Sequence, residues 1–275
     1  MDKLSIVSCK KYVQIKKEKL KEQIALLDNK PCLCVVQIGN NAASNSYIKG
    51  KKKDCEEIGI EFLHCHIEDY TAYSEERVMD IIKDLDDNRA VNGIIIQLPI
   101  PDKYNVENLQ KCISPGKDVD GFRSDSNFLP CTPKGIIDWL DFNGYDVSGK
   151  DVVVIGRSKI VGKPLINMLI DRGATVTCCN SKTLYLDHFT QFADLIISAI
   201  GKPKYFSDQS FNFPDIVVDV GINRDKDGKL CGDVDRESVE RIFEDTYVTP
   251  VPGGVGLLTR VSLLENVVNA AIGLH

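Results

Sequence analysis

Short apolar runs and amphipathic stretches alternate almost from end to end of the 275-residue chain, and that alternation predicts a parallel-sheet α/β protein. "CLCVVQI" (32–38) is a continuous apolar run of strand length, as a strand buried on both faces requires. "SNSYIKGKKKDCEEIG" follows as a helix closed by Gly59, then "IEFLHCHI" as a strand, "SEERVMDIIKDLDDN" as a helix and "VNGIIIQL" as a third strand. These three β-α units fill the N-terminal half.

A polar, glycine-bearing break, "DFNGYDVSGKD" (141–151), precedes the strongest apolar strand of the chain. It sets an expected boundary between an N-terminal α/β substrate domain, 1–142, and a C-terminal Rossmann-like parallel-sheet domain, 143–256. The second half repeats the alternation with "DVVVIG", a helix from about Gly162 to Arg172, "ATVTCCNS", a short helical piece, "ADLIISAIG" and "PDIVVDVGIN". The closing "GLLTRVSLLENVVNAAIGL" spaces its apolar residues as a helix does. Over 257–273 it is expected to pack back on the first domain or to bridge the two.

Composition narrows the function classes. Apolar residues make up 43% and charged residues 27%, the balance of an ordinary globular protein. A formal net charge of -6 argues against an electrostatic nucleic-acid binder. No apolar run reaches the length of a membrane span, and the start "MDKLSIVSCKKYVQ" has no signal or transit character, so the expected address is cytoplasmic. Ten cysteines occur without a C-x-x-C pair, and several sit inside strand-like runs, so they read as reduced, buried small hydrophobes. His64 and His66 alternate on a strand and share one face, with no third ligand in sequence to complete a metal site.

The segment "VVVIGRSKIVGKP" carries the first candidate chemistry. A strand ends in Gly156, and Gly162 and Pro164 stand at a helix start, an arrangement that offers free N–H groups to an anion although the G-x-G-x-x-G fingerprint is missing. The next strand ends in "CCNSKT" with no carboxylate to take a ribose hydroxyl. Ser181 and Lys182, with Arg157 and Ser158, make a neutral-to-cationic pocket suited to a 2′-phosphate.

In the first half, Tyr47 and Lys51 stand at i and i+4 on one helix face. A lysine over a bound planar ring loses water and becomes a proton donor and acceptor, although the basic run 49–53 also reads as a solvated face. Gln97 ends a buried strand, where open parallel sheets bind ligands. "KDVDGF" places Asp118 and Asp120 beside a turn glycine, and a carboxylate suits a ring with adjacent N–H and amino donors. "TPVPGGVGLLT" (249–259) is a rigid proline- and glycine-rich turn before the last helix, with Thr259 just beyond it.

Together "SYIKGKKKDCEEIGI", "GIIIQLPIP", "KDVDGF", "PCTPKGI", "VVVIGRSKIVGKP", "DVGIN", "GDV" and "TPVPGGVG" resemble, in order, the methylenetetrahydrofolate dehydrogenase/methenyltetrahydrofolate cyclohydrolase family. The resemblance spans nearly the whole chain beyond the first thirty residues. It implies two α/β domains with a cleft between them, folate held by the first and NADP by the second, a homodimer built through the second, and no metal. It further implies that Tyr47 stacks on the folate rings, Lys51 is the catalytic lysine with Gln97 beside it, and Asp120 binds the pterin amino and N–H groups. Pro252 and Gly253 fall on the substrate side. Gly156, Arg157, Ser158, Ile160 and Ser181 fall at cofactor positions, with Ile222 and Thr259 lining the nicotinamide. The implied reactions are oxidation of 5,10-methylenetetrahydrofolate and hydrolysis of the methenyl product to 10-formyltetrahydrofolate, in one-carbon metabolism and purine biosynthesis. Two rivals share parts of this pattern: a shikimate-dehydrogenase-like oxidoreductase and a non-catalytic dinucleotide-binding sensor.

Overall fold

A computed structural model describes residues 6–274. In chain order the elements are α1 (Cys9–Ile24), β1 (Cys32–Ile38), α2 (Ala42–Ile58), β2 (Glu61–Ile67), α3 (Glu75–Asp87), β3 (Gly93–Ile96), α4 (Val106–Gln110) and α5 (Cys131–Phe142). Then follow β4 (Asp151–Ile155), α6 (Gly162–Asp171), β5 (Thr175–Cys179), α7 (Asp187–Thr190), β6 (Leu195–Ser198) and β7 (Ile216–Asp219). The hairpin β8 (Asn223–Arg224) and β9 (Leu230–Cys231), α8 (Arg236–Ile242), β10 (Tyr247–Val248) and α9 (Val255–Ile272) complete the chain.

Two compact units result. One comprises Ile15–Cys131 and the stretch from Arg260, the other Thr132–Thr259 with the stretch up to Gln14. The first holds a parallel three-stranded sheet in the order β2-β1-β3. Central β1 is buried at every position, and the parallel pairing demands the crossovers that α2 and α3 supply. Its core joins Cys34, Val36 and Ile38 to Ile94 and Ile96 and to Val78 and Ile82 of α3. Edge strand β2 is mostly exposed, which lets it carry Glu61, His64 and His66 among its apolar residues.

The second unit holds a parallel five-stranded sheet in the order β10-β7-β6-β4-β5. Counted within the unit this is the doubly wound order 2-1-3-4-5, and its switch point falls between β4 and β6. Val153, Ile155, Ile196 and Val217 form the middle of its core, with Phe206, Phe211 and Phe243 packed around them. The α/β class read from the alternation is therefore the observed one.

Two sequence expectations meet the structure in different ways. All ten cysteines are free, and burial pushes the thiols of Cys9, Cys34 and Cys55 up to about 12, which leaves them inert. Cys178 on edge strand β5 is exposed, outside the buried-hydrophobe reading. By contrast, α9 is long and apolar enough by length and composition to cross a membrane, although no unbroken apolar run reaches that length. Thr259, Arg260, Glu265, Asn266 and Asn269 interrupt the run while the average stays apolar. Half of the stretch is buried inside the protein, with Asn266 only 1% exposed and hydrogen-bonded, as in the core helix of a globular fold.

Candidate active site

The first unit gathers four of the predicted residues around the carboxyl end of its sheet. α2 presents Tyr47, 42% exposed, and one turn later Lys51. The run 49–53 then divides: Lys49, Lys52 and Lys53 are exposed, whereas Lys51 is half-buried and donates from Nζ to Gln97 Oε1 at 3.1 Å. The solvated-face reading holds for its neighbours and fails for Lys51.

Gln97 lies one residue beyond β3, its N–H paired to Val36 O at 2.9 Å. Its Nε2 donates to Leu98 O at 2.8 Å, and the same carbonyl accepts from the buried Ser44 hydroxyl at 3.3 Å. An amide whose NH2 end is committed to a carbonyl must turn its oxygen the other way, toward Lys51. The peptide bond from Leu98 to Pro99 is cis.

The two aspartates of "KDVDGF" have separate duties. Asp118 is buried and accepts from Arg123 N at 2.9 Å, while its own N–H and C=O serve the turn. Asp120 is the one that senses Lys51. Burial raises its carboxyl above the usual range, and the Lys51 charge and a Cys131 hydrogen bond pull it back down. Gly121 has φ of 68°, and a Cβ there would meet the backbone of Phe128, Leu129 and Pro130 at 2.6–2.7 Å, so the turn that aims Asp120 admits only glycine.

Residues outside the sequence prediction brace this group. Asn266 of α9 donates to Val119 O at 2.9 Å and to Leu129 O at 3.4 Å, tying down both strands of the Asp120 turn. The Cys131 thiol donates to the same Val119 carbonyl at 3.2 Å. Behind Lys51, buried Asp54 holds α2 to α1 through Lys17 at 2.7 Å and to α9 through Arg260 at 2.9 Å. A buried polar residue has no periodic signature; its only sequence signal is an Asn or Asp at an otherwise apolar helix position. His64 and His66 do share a face, stacked at 5.2 Å, but each ring is spent on Gln37 or Gly39 at 2.9 Å. Among the described residues no group of three or more His, Cys, Asp or Glu could hold a metal.

The second unit brings together the glycine turn. Gly156 follows β4 with φ of 119°, and a Cβ on it would overlap the Ala199 carbonyl at the end of β6. A Cβ on Gly162 would in turn overlap the Gly156 carbonyl. Backbones thus close together at the switch point leave a crevice only glycine can line. Arg157, Ser158 and Ile160 are exposed around it, as is Ser181 just past β5. One expectation is corrected: the N–H groups opening α6 are not free. Ser158 Oγ accepts from Val161 and Gly162 at 3.2 and 3.4 Å, and Ser158 O accepts from Lys163 at 3.0 Å.

Within the same unit Ile222 is 50% exposed with its side chain toward Gly256. Thr259 Oγ1 pairs with Thr132 Oγ1 at 2.9 Å. Pro252 is exposed and Gly253 has φ of 106°, in the turn before α9.

A doubly wound sheet whose switch-point turn is closed by glycines, joined in one chain to an α/β unit with a lysine-glutamine-aspartate group, defines a two-domain nucleotide-dependent enzyme. Family comparison agrees. Residues 7–120 match the catalytic domain of tetrahydrofolate dehydrogenase/cyclohydrolase, and residues 130–274 match its NAD(P)-binding domain. The chain belongs to the tetrahydrofolate dehydrogenase/cyclohydrolase family. It is 42% identical over 266 residues to the bifunctional protein FolD of Agathobacter rectalis, covering 92% of this chain and 94% of that protein. Among solved structures it is similar to the bifunctional FolD enzyme of Campylobacter jejuni, with a TM-score of 0.92, 40% identity, and 98% and 99% of the two chains covered. The Trypanosoma brucei enzyme, solved with NADP cofactor and an inhibitor, has a TM-score of 0.88 at 26% identity, with 98% of each chain covered.

Proposed function

We propose that this protein oxidises 5,10-methylenetetrahydrofolate to the methenyl form with NADP and hydrolyses that product to 10-formyltetrahydrofolate. The observation that carries the reading is the 3.1 Å Lys51–Gln97 hydrogen bond beside Asp120. Only Lys51 of its basic run is withdrawn from solvent, and the amide that receives it is locked from behind.

Asp120 accepts from the pterin amino and ring N–H groups, and Tyr47 lies flat against the rings. Lys51 moves the protons of the water step, in which water adds to the cationic methenyl carbon and one ring C–N bond opens. Gln97 fixes the ammonium in place for this. Pro252 and Gly253 border the substrate. Gly156, Arg157, Ser158, Ile160 and Ser181 would hold the dinucleotide, and Ile222 and Thr259 would line the nicotinamide side. The close Gly156–Ala199 approach fits such a group, and Asn180 at the end of β5 leaves no carboxylate to repel a 2′-phosphate. Bound NADP supplies the hydride acceptor. Positioning does the rest of that step.

The enzyme acts, in this reading, on a small-molecule folate in the cytoplasm, as a homodimer built through its nucleotide unit; light scattering tests the dimer. Activity is tested by mixing the protein with methylenetetrahydrofolate and NADP, following methenyl absorbance, and then following decay of added methenyl substrate without cofactor. No NADP-dependent rise and no decay would overturn the assignment.

A further inference from the structure

The "GDV" motif has no part in the chemistry above, yet it places the most heavily bonded carboxylate among the described residues of the second unit. Asp233 is 0% exposed. Its Oδ2 accepts from Ser198 Oγ at 3.0 Å, Ile200 N at 2.8 Å and Gly201 N at 3.3 Å. Its Oδ1 accepts from Lys202 N at 2.8 Å and Asn223 Nδ2 at 2.9 Å. Asp219 sets it in place, its own Oδ1 accepting from Asp233 N at 2.9 Å. A Cβ on Gly232 would overlap the Asp219 carboxylate, and one on Gly221 would overlap Asp233 Oδ1, so the glycines of "DVGIN" and "GDV" exist to let the two carboxylates in.

The five donors are not scattered. Four belong to the segment 198–202, which starts at the last residue of β6 and includes the Ala199 carbonyl against which Gly156 closes. The fifth belongs to Asn223, next to the exposed Ile222. One buried side chain thus fixes both the far wall of the switch-point crevice and the hairpin that starts β8.

We propose that Asp233 is the positioning residue of the dinucleotide site, holding segment 198–202 and Asn223 in the geometry that receives the cofactor without touching it. The inference rests on the NADP reading above. A wall held rigid before binding spares the ligand the cost of ordering it, so loss of Asp233 shows in cofactor affinity.

The test is Asp233→Asn, which keeps the shape but turns one acceptor into a donor facing N–H groups. The expected result is a rise of about tenfold or more in the NADP KM and in the NADPH Kd by nicotinamide fluorescence. The methylenetetrahydrofolate KM and cofactor-free methenyl hydrolysis stay near wild type, a split that general loss of structure would not produce. Should Asp233→Asn show no cooperative melt, Asn223→Ala decides, with an expected rise of roughly threefold from one lost donor. NADPH bound as tightly as by wild type in whichever variant folds overturns the inference, whatever its melting temperature. A wild-type protein that binds no NADPH overturns the cofactor reading and this inference with it.

Discussion

Lys51→Met separates the two reactions, because they ask different things of one side chain. Methionine keeps much of the length and the apolar stem, so the half-buried position stays filled, but Gln97 Oε1 loses its donor at 3.1 Å. Gln97 itself does not swing away, since Nε2 remains tied to Leu98 O at 2.8 Å. The water step loses its proton carrier, and general acid–base catalysis is worth about 10²–10⁴-fold. Hydride transfer keeps Tyr47 and Asp120 and is partly spared. A second effect falls on Asp120. Its carboxyl is already raised by burial and is held down by the Lys51 charge, so the variant raises it further.

A carboxylic acid accepts pterin N–H groups less well than a carboxylate, so the folate KM of the variant rises toward low pH at a higher pH than in wild type. Methenyl decay and NADPH formation are measured for Lys51→Met, Gln97→Ala and the pair, from pH 6 to 8.5. Because both residues serve one proton transfer, the double variant should lose no more than about threefold beyond the worse single one. Full methenyl hydrolysis by Lys51→Met would refute the mechanism and return the whole run 49–53 to a solvated face.

Three further outcomes are expected. Wild type prefers NADP over NAD by at least about tenfold in kcat/KM, and Arg157→Ala removes most of that preference by lowering the NADP value alone; equal values in wild type would contradict the pocket. Asn266→Leu leaves the Val119 carbonyl with only the weak Cys131 thiol donor and takes the amide from Leu129 O, costs about 1–3 kcal/mol in urea unfolding and raises the folate KM through the Asp120 turn; an unchanged midpoint would show that the thiol suffices. Asp219 is raised by burial to about 6, so it favours the folded state most below its unfolded value and that contribution is lost as pH rises from about 4 to 6, by roughly 3 kcal/mol. Unfolding free energies of wild type and Asp219→Asn across that window should differ in slope with this sign, and parallel curves would disprove the shift.

What was legible in the sequence follows from how each element earns its burial. β1 and β3 lie between covered faces, so their apolar runs name them at once. α1, α4, α5, α8, β10 and the hairpin of β8 and β9 carry no such signal. In α1 only Cys9, Tyr12, Val13, Leu20 and Ile24 are buried hydrophobics, spread through a lysine-rich stretch that hides the period. In the site, the i,i+4 pair of Tyr47 and Lys51 was readable because helix geometry is local. The residues alone left the two "KDVDGF" aspartates alike and only the family resemblance singled out Asp120, because what separates them is the Arg123 N–H on Asp118 and the Lys51 charge near Asp120, which spacing does not reveal.

The missing G-x-G-x-x-G fingerprint now has a physical meaning. In that motif the glycines bring backbone N–H groups of a helix start up to a pyrophosphate. Here only Gly156 and Gly162 remain, and Ser158 spends the N–H groups of Val161, Gly162 and Lys163 on itself. The turn is therefore finished before any ligand arrives, and its rigidity comes from a hydroxyl rather than from a phosphate. In the proposed reading, recognition of negative charge passes from backbone to the exposed side chains around the turn, Arg157 and Ser181 foremost. Side chains discriminate where backbone amides do not: a guanidinium can seek one phosphate group and ignore a hydroxyl in the same place. A βα turn built this way gives up general affinity for the pyrophosphate and gains selectivity at the ribose. It also needs its opposite wall fixed by other means, and that is the place Asp233 occupies.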